Sequence, residues 1–389
     1  MTDKRTHVVV IGGGYAGTLA ANHLRLRDDV DITLVNPRPV FVERIRLHQL
    51  AAGSGTAAVD YSTLLGEGIR LVVDGADRID IAERTVSLTS GARLTFDYLI
   101  YSVGSTGGSP VPGAAQFAYS IADFDQAGRL HDTLQELHPD APVTVVGAGL
   151  TGIETASELA EQGRRVTLAC GGVLGTSLSR RGRRSVAKRL AKLDVDVLET
   201  AVVNEVRSDA LVLADGRMLP SVVTVWTAGF GVPDLAARSG LRTDAVGRLL
   251  TDETLTSVDD PRIVAAGDAA APSGKPLRMS CQAAIPLGAQ AANTALSRIT
   301  GTAPAALSQA FAGQCVSLGR KHATIQFART DDTPVNAVVG GRAAAKIKEA
   351  VCRSTLWAIR REAAKPGSYR WFKGGRRPEQ LIREAATVS

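Results

Sequence analysis

Residues 7–17 read HVVVIGGGYAG, an apolar strand followed at once by glycines in the spacing G-x-G-x-x-G. The first glycine of this pattern permits a tight turn, and the second lets the backbone approach a pyrophosphate. The third lets the next helix pack close to the sheet. An alanine-rich stretch follows up to Leu24. These residues therefore predict a strand, a phosphate-binding turn and a helix whose amino end attracts anions.

The same arrangement returns at residues 143–152, which read VTVVGAGLTG and run into a helix-compatible segment that ends before Gly163. One such match is weak evidence, but two matches in the same setting predict two nucleotide-binding units. The residues expected to hold the two pyrophosphates are Gly12, Gly14, Tyr15, Ala16 and Gly17 in the first unit and Gly147, Gly149, Leu150, Thr151 and Gly152 in the second.

The second strand of such a unit usually ends in an acid that binds the adenosine ribose. The first unit has Asn36 there, whose amide can still accept from a ribose hydroxyl. The second unit has Cys170 and no acid, while Arg180 and Arg181 follow downstream. A site without the carboxylate does not repel a 2′-phosphate, and a nearby arginine could hold one. NADH and NADPH both stay open, and this cluster favours NADPH; its alternative role is a solvated helix start.

The composition fits an ordinary globular chain, with 389 residues, 44% hydrophobic and 22% charged. The four cysteines are widely spaced, which excludes a CxxC redox pair and any zinc-ligand spacing. No uncharged apolar run reaches the roughly 18 residues of a membrane span, and the start of the sequence lacks a signal-peptide core. We therefore expect a cytoplasmic protein, with peripheral contact to the inner face of the cell membrane as an open alternative.

Positive charge is concentrated near the carboxyl terminus. Residues 342–377 contain eleven Lys and Arg against two Glu, although the net charge of the whole chain is only +6. The pattern predicts a helix over 343–362 in which apolar residues including Trp357 lie among basic ones. Such a helix over the basic region 343–377 suits the surface of an anionic membrane. The alternative is a helix packed on its own domain with a solvated basic face; binding to nucleic acid has no motif to support it.

Three further stretches strengthen the interpretation: FDYLIYSVGS at 96–105, VTVWTAG at 223–229 and VAAGD at 264–268. Together with the glycine turns they resemble the two-dinucleotide-binding-domain flavoproteins, or pyridine nucleotide–disulfide oxidoreductases. The resemblance covers residues 7 to about 300 and is greatest to type II NADH dehydrogenases and apoptosis-inducing-factor-like quinone reductases. It implies an α/β fold with two Rossmann-like domains, FAD and NADH or NADPH as cofactors, and a C-terminal α+β region.

This resemblance also implies domain boundaries and site residues. The FAD domain is expected at 1–115 and 245–300, the nicotinamide domain at 116–244 and the C-terminal region at 301–389. Glu154 and His48 are the expected catalytic residues. Glu154 would face the nicotinamide, or alternatively be an acid favoured at a helix start; His48 would contact a cofactor or donate a proton, or alternatively be an ordinary hydrogen-bonded side chain. The remaining cofactor contacts expected from the resemblance are Asn36, Arg44, Ala76, Gly104, Gly229, Gly267, Asp268, Ala284 and Ile285. A helix start near Ala284 would stabilise negative charge on reduced flavin through its dipole.

The expected reaction is NAD(P)H oxidation through FAD without a redox disulfide, with a quinone as the favoured acceptor. One departure bears on the acceptor: the Gln-Gln pair of many bacterial type II dehydrogenases is replaced here by Pro286 and Leu287. A reductase of a ferredoxin-type protein remains an alternative, as does a flavin-bound redox sensor that uses its basic tail. Cys281 is expected near the flavin as a packing residue.

Overall fold

A computed structural model describes residues 5–108, 110–375, 377–379 and 381–382. The first glycine turn belongs to a five-stranded parallel sheet whose inner strands are almost fully buried. From one edge to the other, the strands are β21 (Ile263–Ala265), β9 (Tyr98–Tyr101), β1 (Thr6–Ile11), β2 (Val30–Asn36) and β5 (Ile69–Val73). Parallel sheets are covered on both faces, which is why these strands consist largely of apolar residues.

The second glycine turn belongs to another five-stranded parallel sheet. Its strands, in the same direction across the sheet, are β11 (Ala118–Ser120), β18 (Val223–Trp226), β12 (Val143–Val146), β13 (Val166–Ala169) and β14 (Asp196–Leu198). In both sheets the first strand of the unit is central and the second strand is its neighbour. The two sheets therefore repeat one doubly wound arrangement, which confirms the predicted fold class.

Short antiparallel sheets complete the two halves. They are formed by β3 (Val40–Val42) with β4 (Ala58–Asp60); β6 (Ala76–Asp80), β7 (Thr85–Leu88) and β8 (Arg93–Thr95); β10 (Thr106–Gly107) with β19 (Phe230–Gly231); and β15 (Val203–Val206), β16 (Ala210–Leu213) and β17 (Met218–Pro220). A parallel pair joins β20 (Leu249–Thr251) to β22 (Ala270–Pro272). The pair β10–β19 links a segment after the first sheet with a segment after the second.

Helices connect the strands and cover the sheets. They are α1 (Tyr15–Leu24), α2 (Leu47–Ala52), α3 (Ala114–Phe117), α4 (Phe124–Glu136), α5 (Leu150–Glu161), α6 (Arg180–Lys192), α7 (Leu235–Arg238), α8 (Cys281–Ile299) and α9 (Arg342–Ala364). Short 3₁₀ turns lie at Arg44–Arg46, Tyr61–Thr63 and Gly267–Ala269. Helices α1 and α8 pack so closely that a side chain at Gly288 would collide with the backbone of Ala16.

The C-terminal region adds an antiparallel sheet of β23 (Gly313–Ser317), β24 (Ala323–Ala328) and β25 (Pro334–Gly341), followed by α9. The helix predicted at 343–362 is thus present. Its buried stripe consists of Ala344, Cys352, Leu356 and Ile359. Among the described residues, no helix is both long and apolar enough to cross a membrane.

The segment after α9 returns over the protein and packs against it. Trp371 donates its indole N–H to the carbonyl of Ser308 at 2.9 Å. The buried carboxylate of Glu362 accepts from the ring of His23 at 2.6 Å and from the backbone N–H groups of Gly367 and Tyr369. The end of α9 and the segment that follows are thereby attached to α1.

Candidate functional site

The first glycine turn has the geometry that the spacing predicts. Gly12 has a φ of +98°, and a side chain there would collide with the carbonyl of Ser102. A side chain at Gly17 would collide with the backbone of Gly12, which lets α1 start against the strand. The middle glycine, Gly14, faces open space. At Gly14 the turn therefore leaves an open space that a bound group can occupy and that a side chain would fill.

The second turn repeats this geometry. Gly147 has a φ of +127°, and a side chain there would come within 2.5 Å of the Thr227 hydroxyl. Gly152 likewise has no space for one beside the backbone of Gly147, whereas Gly149 faces open space. Helices α1 and α5 begin directly after the middle glycines, and neither has a side-chain cap or an acid in its first turn. Uncapped N–H groups and the positive end of the helix dipole suit a pyrophosphate.

Both units open onto one cavity of about 910 Å³. Ten of the residues expected in the site lie in its wall: Tyr15, Arg44, His48, Leu150, Thr151, Glu154, Gly229, Asp268, Ala284 and Ile285. Tyr15 Oη and His48 Nε2 are buried and have no hydrogen-bond partner among the described residues. Buried polar atoms are rarely left unpaired, so these two atoms fit a polar ligand in the cavity, as the isoalloxazine of FAD would be.

A polar network lies in the first unit beside the end of β9. Arg44 donates to the carbonyl of Ser105 and, at 3.1 Å, to its hydroxyl, which in turn donates to Asp268 at 2.7 Å. Burial lowers the pKa of Arg44 from its usual value, although Asp268 counteracts this. Gly104 has a φ of +73° and lies against the Arg44 guanidinium. The network fixes a cation and an anion at the cavity wall, where FAD would need donors and acceptors.

Other expected contacts lie outside the cavity wall. Asn36 accepts from the N–H of Gly13 at 2.9 Å, so its amide supports the glycine turn. Ala76 begins β6 and pairs with Leu88. Gly267, with a φ of +70°, lies close to Ala16 at the start of α1. The roles of these residues towards a cofactor stay predictions.

Arg180 and Arg181 begin α6, which packs against β24 and β25 of the C-terminal sheet. The backbone N–H of Arg181 donates to the side chain of Asn336 at 3.2 Å. Neither arginine belongs to the cavity wall. Their expected role in holding a 2′-phosphate stays a prediction, and the structure gives it no contact.

The two expected catalytic residues come together around a lysine that the sequence did not single out for catalysis. Glu154 Oε1 lies 2.6 Å from Lys348 Nζ and accepts from the N–H of Ser317 at 2.8 Å. His48 Nδ1 lies 3.9 Å from the other carboxylate oxygen. Lys348 also donates to the carbonyl of Cys315 at 3.4 Å. We call Glu154, Lys348 and His48 the buried triad.

Electrostatics fix the protonation of the buried triad. Burial alone would raise the pKa of Glu154, but the Lys348 ammonium and His48 hold it below its usual range. Burial would lower the pKa of Lys348, yet the Glu154 carboxylate raises it. Burial lowers the pKa of His48 to about 4 despite Glu154. At neutral pH the cavity therefore contains an ion pair and a neutral imidazole.

Lys348 is one of the eleven basic residues of 342–377, which the sequence predicts on a solvated or membrane-facing side of the helix, and the structure corrects that placement. Its side chain is 12% exposed and lies on the same side of α9 as the buried residues Ala344 and Cys352. The sequence already contains an indication of this burial: Lys348 lies four residues after Ala344 and four before Cys352, and residues at i and i+4 share a helix face. The exposed apolar residues Ile347, Val351 and Trp357 lie on another flank of α9, and they also line the cavity.

Comparisons with known proteins agree with this geometry. The sequence model for pyridine nucleotide-disulphide oxidoreductases matches residues 6–310. An NADH dehydrogenase-like protein of Mycobacterium tuberculosis is 31% identical, over 73% of this chain and 78% of its own. The type II NADH:quinone oxidoreductase Ndh of the same organism is 28% identical, over 78% and 74%.

Solved structures share the fold. The sulfide:quinone oxidoreductase from Aquifex aeolicus superposes with a TM-score of 0.79, covering 93% of both chains at 23% identity. NDH2 from Plasmodium falciparum, solved in complex with NADH, gives a TM-score of 0.76 and covers 92% of this chain and 97% of its own at 14% identity. On the match of its sequence to the family over most of its length, the chain belongs to the pyridine nucleotide-disulphide oxidoreductases and is an oxidoreductase that works with FAD and a nicotinamide nucleotide.

Proposed function

We propose that this NAD(P)H dehydrogenase passes electrons from the nicotinamide through FAD to a quinone-like acceptor without a redox disulfide. The observation that carries the proposal is one cavity that reaches the first turns of α1 and α5 and extends under α9. Such a cavity gives both nucleotides access to one point and leaves room for a small planar acceptor. Quinone reductases among the similar proteins support the acceptor class.

Bound FAD would supply two-electron chemistry between donor and acceptor, and the protein supplies orientation and charge around it. Tyr15, Arg44 and Asp268, which line the cavity, would hold its dinucleotide and ring portions, and Leu150 and Thr151 would hold the nicotinamide nucleotide. Quinone reduction to a hydroquinone consumes protons as well as electrons. Lys348 keeps a proton at Nζ beside Glu154, and neutral His48 has a free Nε2 among the described residues.

The thiols of the cavity wall argue for chemistry without cysteine. Cys281, Cys315 and Cys352 line the cavity, and all are free. Burial raises the pKa of Cys281 to about 11 and also raises that of the other two. Since the thiolate is the reactive form, these cysteines are poor nucleophiles at neutral pH.

The test is a pair of half-reactions under anaerobic conditions. A reduced nicotinamide should bleach the flavin, and a short-chain quinone should restore its colour faster than a ferredoxin does. Cys281→Ser and Cys315→Ser should change both rates by less than about twofold, since neutral thiols contribute only packing. Reoxidation by ferredoxin alone, or loss of quinone reduction in either serine variant, would contradict the proposal.

We also propose that α9 contacts an anionic membrane surface. Its outer side combines Trp357, 58% exposed, and Ile347, 46% exposed, with basic neighbours such as Arg360. Apolar side chains flanked by Lys and Arg are typical of interfacial helices. The same apolar residues line the cavity, so a quinone dissolved in lipid would meet the opening directly.

Flotation with vesicles tests this contact. The full chain should float with vesicles that contain anionic phospholipid and less with neutral ones, because the lysines and arginines are attracted to negative lipid. Trp357→Ser should weaken flotation, and Met218→Ser, an exposed apolar residue on β17, is the matched control. Deletion of α9 is unsuitable, because it would remove Lys348 and the buried stripe. A full chain that floats with neither vesicle would exclude the contact.

A further inference from the structure

The second nucleotide-binding unit has no acid at the end of β13. The neighbouring strand, β14, supplies a carboxylate beside this strand end. Cys170 directly follows β13, and Glu199 directly follows β14. The two strands are parallel neighbours, with Ala169 beside Leu198. Cys170 and Glu199 therefore lie at the same edge of the sheet, which is the carboxyl edge where nucleotides bind in open α/β sheets.

Glu199 is attached to the loop that follows β13. The backbone N–H of Gly172 donates to the Glu199 carbonyl at 2.6 Å, and that of Leu174 donates to Glu199 Oε1 at 3.0 Å. At its far end, the loop donates from the N–H of Gly175 to the carbonyl of Ala148 in the glycine turn, at 2.9 Å. One short loop thus connects the carboxylate with the turn that is placed to hold the pyrophosphate.

The remaining groups at this edge are free to contact a ligand. Glu199 is exposed, and its second carboxylate oxygen accepts no hydrogen bond from a residue that the structure describes. Val173 in the loop and Val202 just after Glu199 are each 48% exposed. A side chain at Gly171 would lie 3.8 Å from the carbonyl of Ala201, so the two segments are close together.

We propose that Glu199 accepts the ribose hydroxyls of the adenosine half of NADH, with Val173 and Val202 against the adenine, and that it selects NADH over NADPH. This inference rests on the proposed function. A carboxylate binds hydroxyl groups through charge-assisted hydrogen bonds and repels a 2′-phosphate. The resulting preference is opposite to that expected from Arg180 and Arg181, which lie on a helix packed against the C-terminal sheet.

Kinetics on the FAD-loaded enzyme test the selection. We expect NADH to exceed NADPH in kcat/KM for flavin reduction by at least about tenfold, the size of one hydrogen bond to a charged group. Glu199→Gln keeps an oxygen for the Leu174 N–H and removes the charge, so the NADH/NADPH ratio should fall about tenfold. Asp196→Asn, an exposed acid at the other end of β14, is the matched control and should leave the ratio unchanged.

Calorimetric binding of ADP and of 2′,5′-ADP measures the same discrimination without turnover. The wild-type enzyme should bind ADP more tightly, and the difference should shrink in Glu199→Gln. A wild-type preference for NADPH or 2′,5′-ADP, or an unchanged ratio in a folded, flavin-bound Glu199→Gln, would overturn the inference and leave the proposed function standing. A wild-type enzyme whose flavin neither nucleotide reduces would overturn both.

Discussion

Replacing Lys348 by Met removes the cation from the buried triad with little change in volume. The carboxylate of Glu154 would keep the N–H of Ser317 and the distant His48, but lose the ammonium at 2.6 Å. Both members of the pair are only 12% exposed. Breaking a buried pair by removing one partner costs about 3–5 kcal/mol, because the other charge is left uncompensated. We expect a loss of about 3 kcal/mol in the free energy of unfolding at pH 7.

The loss should depend on pH in a defined direction. In the wild-type protein, Lys348 holds the pKa of Glu154 below its usual range, so this carboxylate stabilises the fold above the unfolded-state pKa of about 4.3. Without Lys348, burial dominates and raises the pKa of Glu154, so ionisation then destabilises the fold as pH rises. The difference between the two proteins should therefore grow as the pH rises from about 4 towards 7, and it should disappear only below the lowered pKa of Glu154.

Urea unfolding of the FAD-loaded protein, followed by flavin fluorescence at several pH values, measures this difference. Lys346→Met, an exposed neighbour on α9, should cost less than about 0.5 kcal/mol. Adding Glu154→Gln to Lys348→Met should recover part of the loss, because the remaining buried group is then neutral. A loss below about 1 kcal/mol at pH 7, or one that is constant from pH 4.5 to 7.5, would refute the reasoning.

Three further predictions concern other parts of the site. Gly14→Ala should leave the fold intact but weaken FAD binding at least about tenfold, whereas Gly149→Ala should retain FAD and slow its reduction by nicotinamides. The reason is that each added methyl group fills the open space of its turn. Equilibrium dialysis measures FAD binding, and stopped-flow absorbance measures the rate of flavin reduction. His48 should add no inflection near pH 6.5 to the rate of quinone reduction, because burial lowers its pKa to about 4 and it stays neutral at higher pH. Glu362→Gln should destabilise the protein by about 2–4 kcal/mol and expose residues 366–375 to limited proteolysis, because the charge that binds His23 is lost.

Each of these predictions can fail. Equal effects of the two glycine variants on FAD binding would contradict separate sites. A rate inflection near pH 6.5 that disappears in His48→Asn would show a titrating imidazole. Resistance of residues 366–375 to proteolysis in Glu362→Gln would mean that this carboxylate does not hold the segment. Glu136→Gln, at the exposed end of α4, is the control for loss of charge alone.

Local patterns predicted most of the fold. The glycine spacing at 12–17 and 147–152 depends on sterics within a few residues, and the turns have the geometry expected from it. The extent of α9, predicted at 343–362, also follows from apolar periodicity, which is a property of short windows. The repeated strand order then follows from the doubly wound topology that such units adopt.

The sequence by itself determined that two tight glycine turns would each lead from a strand into a helix, because such a turn needs only its own backbone. Tertiary structure alone decided which charges meet around them. Lys348 joins Glu154 from the far end of the chain, and Glu199 lies beside Cys170 only because β14 pairs with β13. Such contacts depend on the packing of elements that are distant in sequence, and no local sequence pattern indicates which residue will pair with a buried charge.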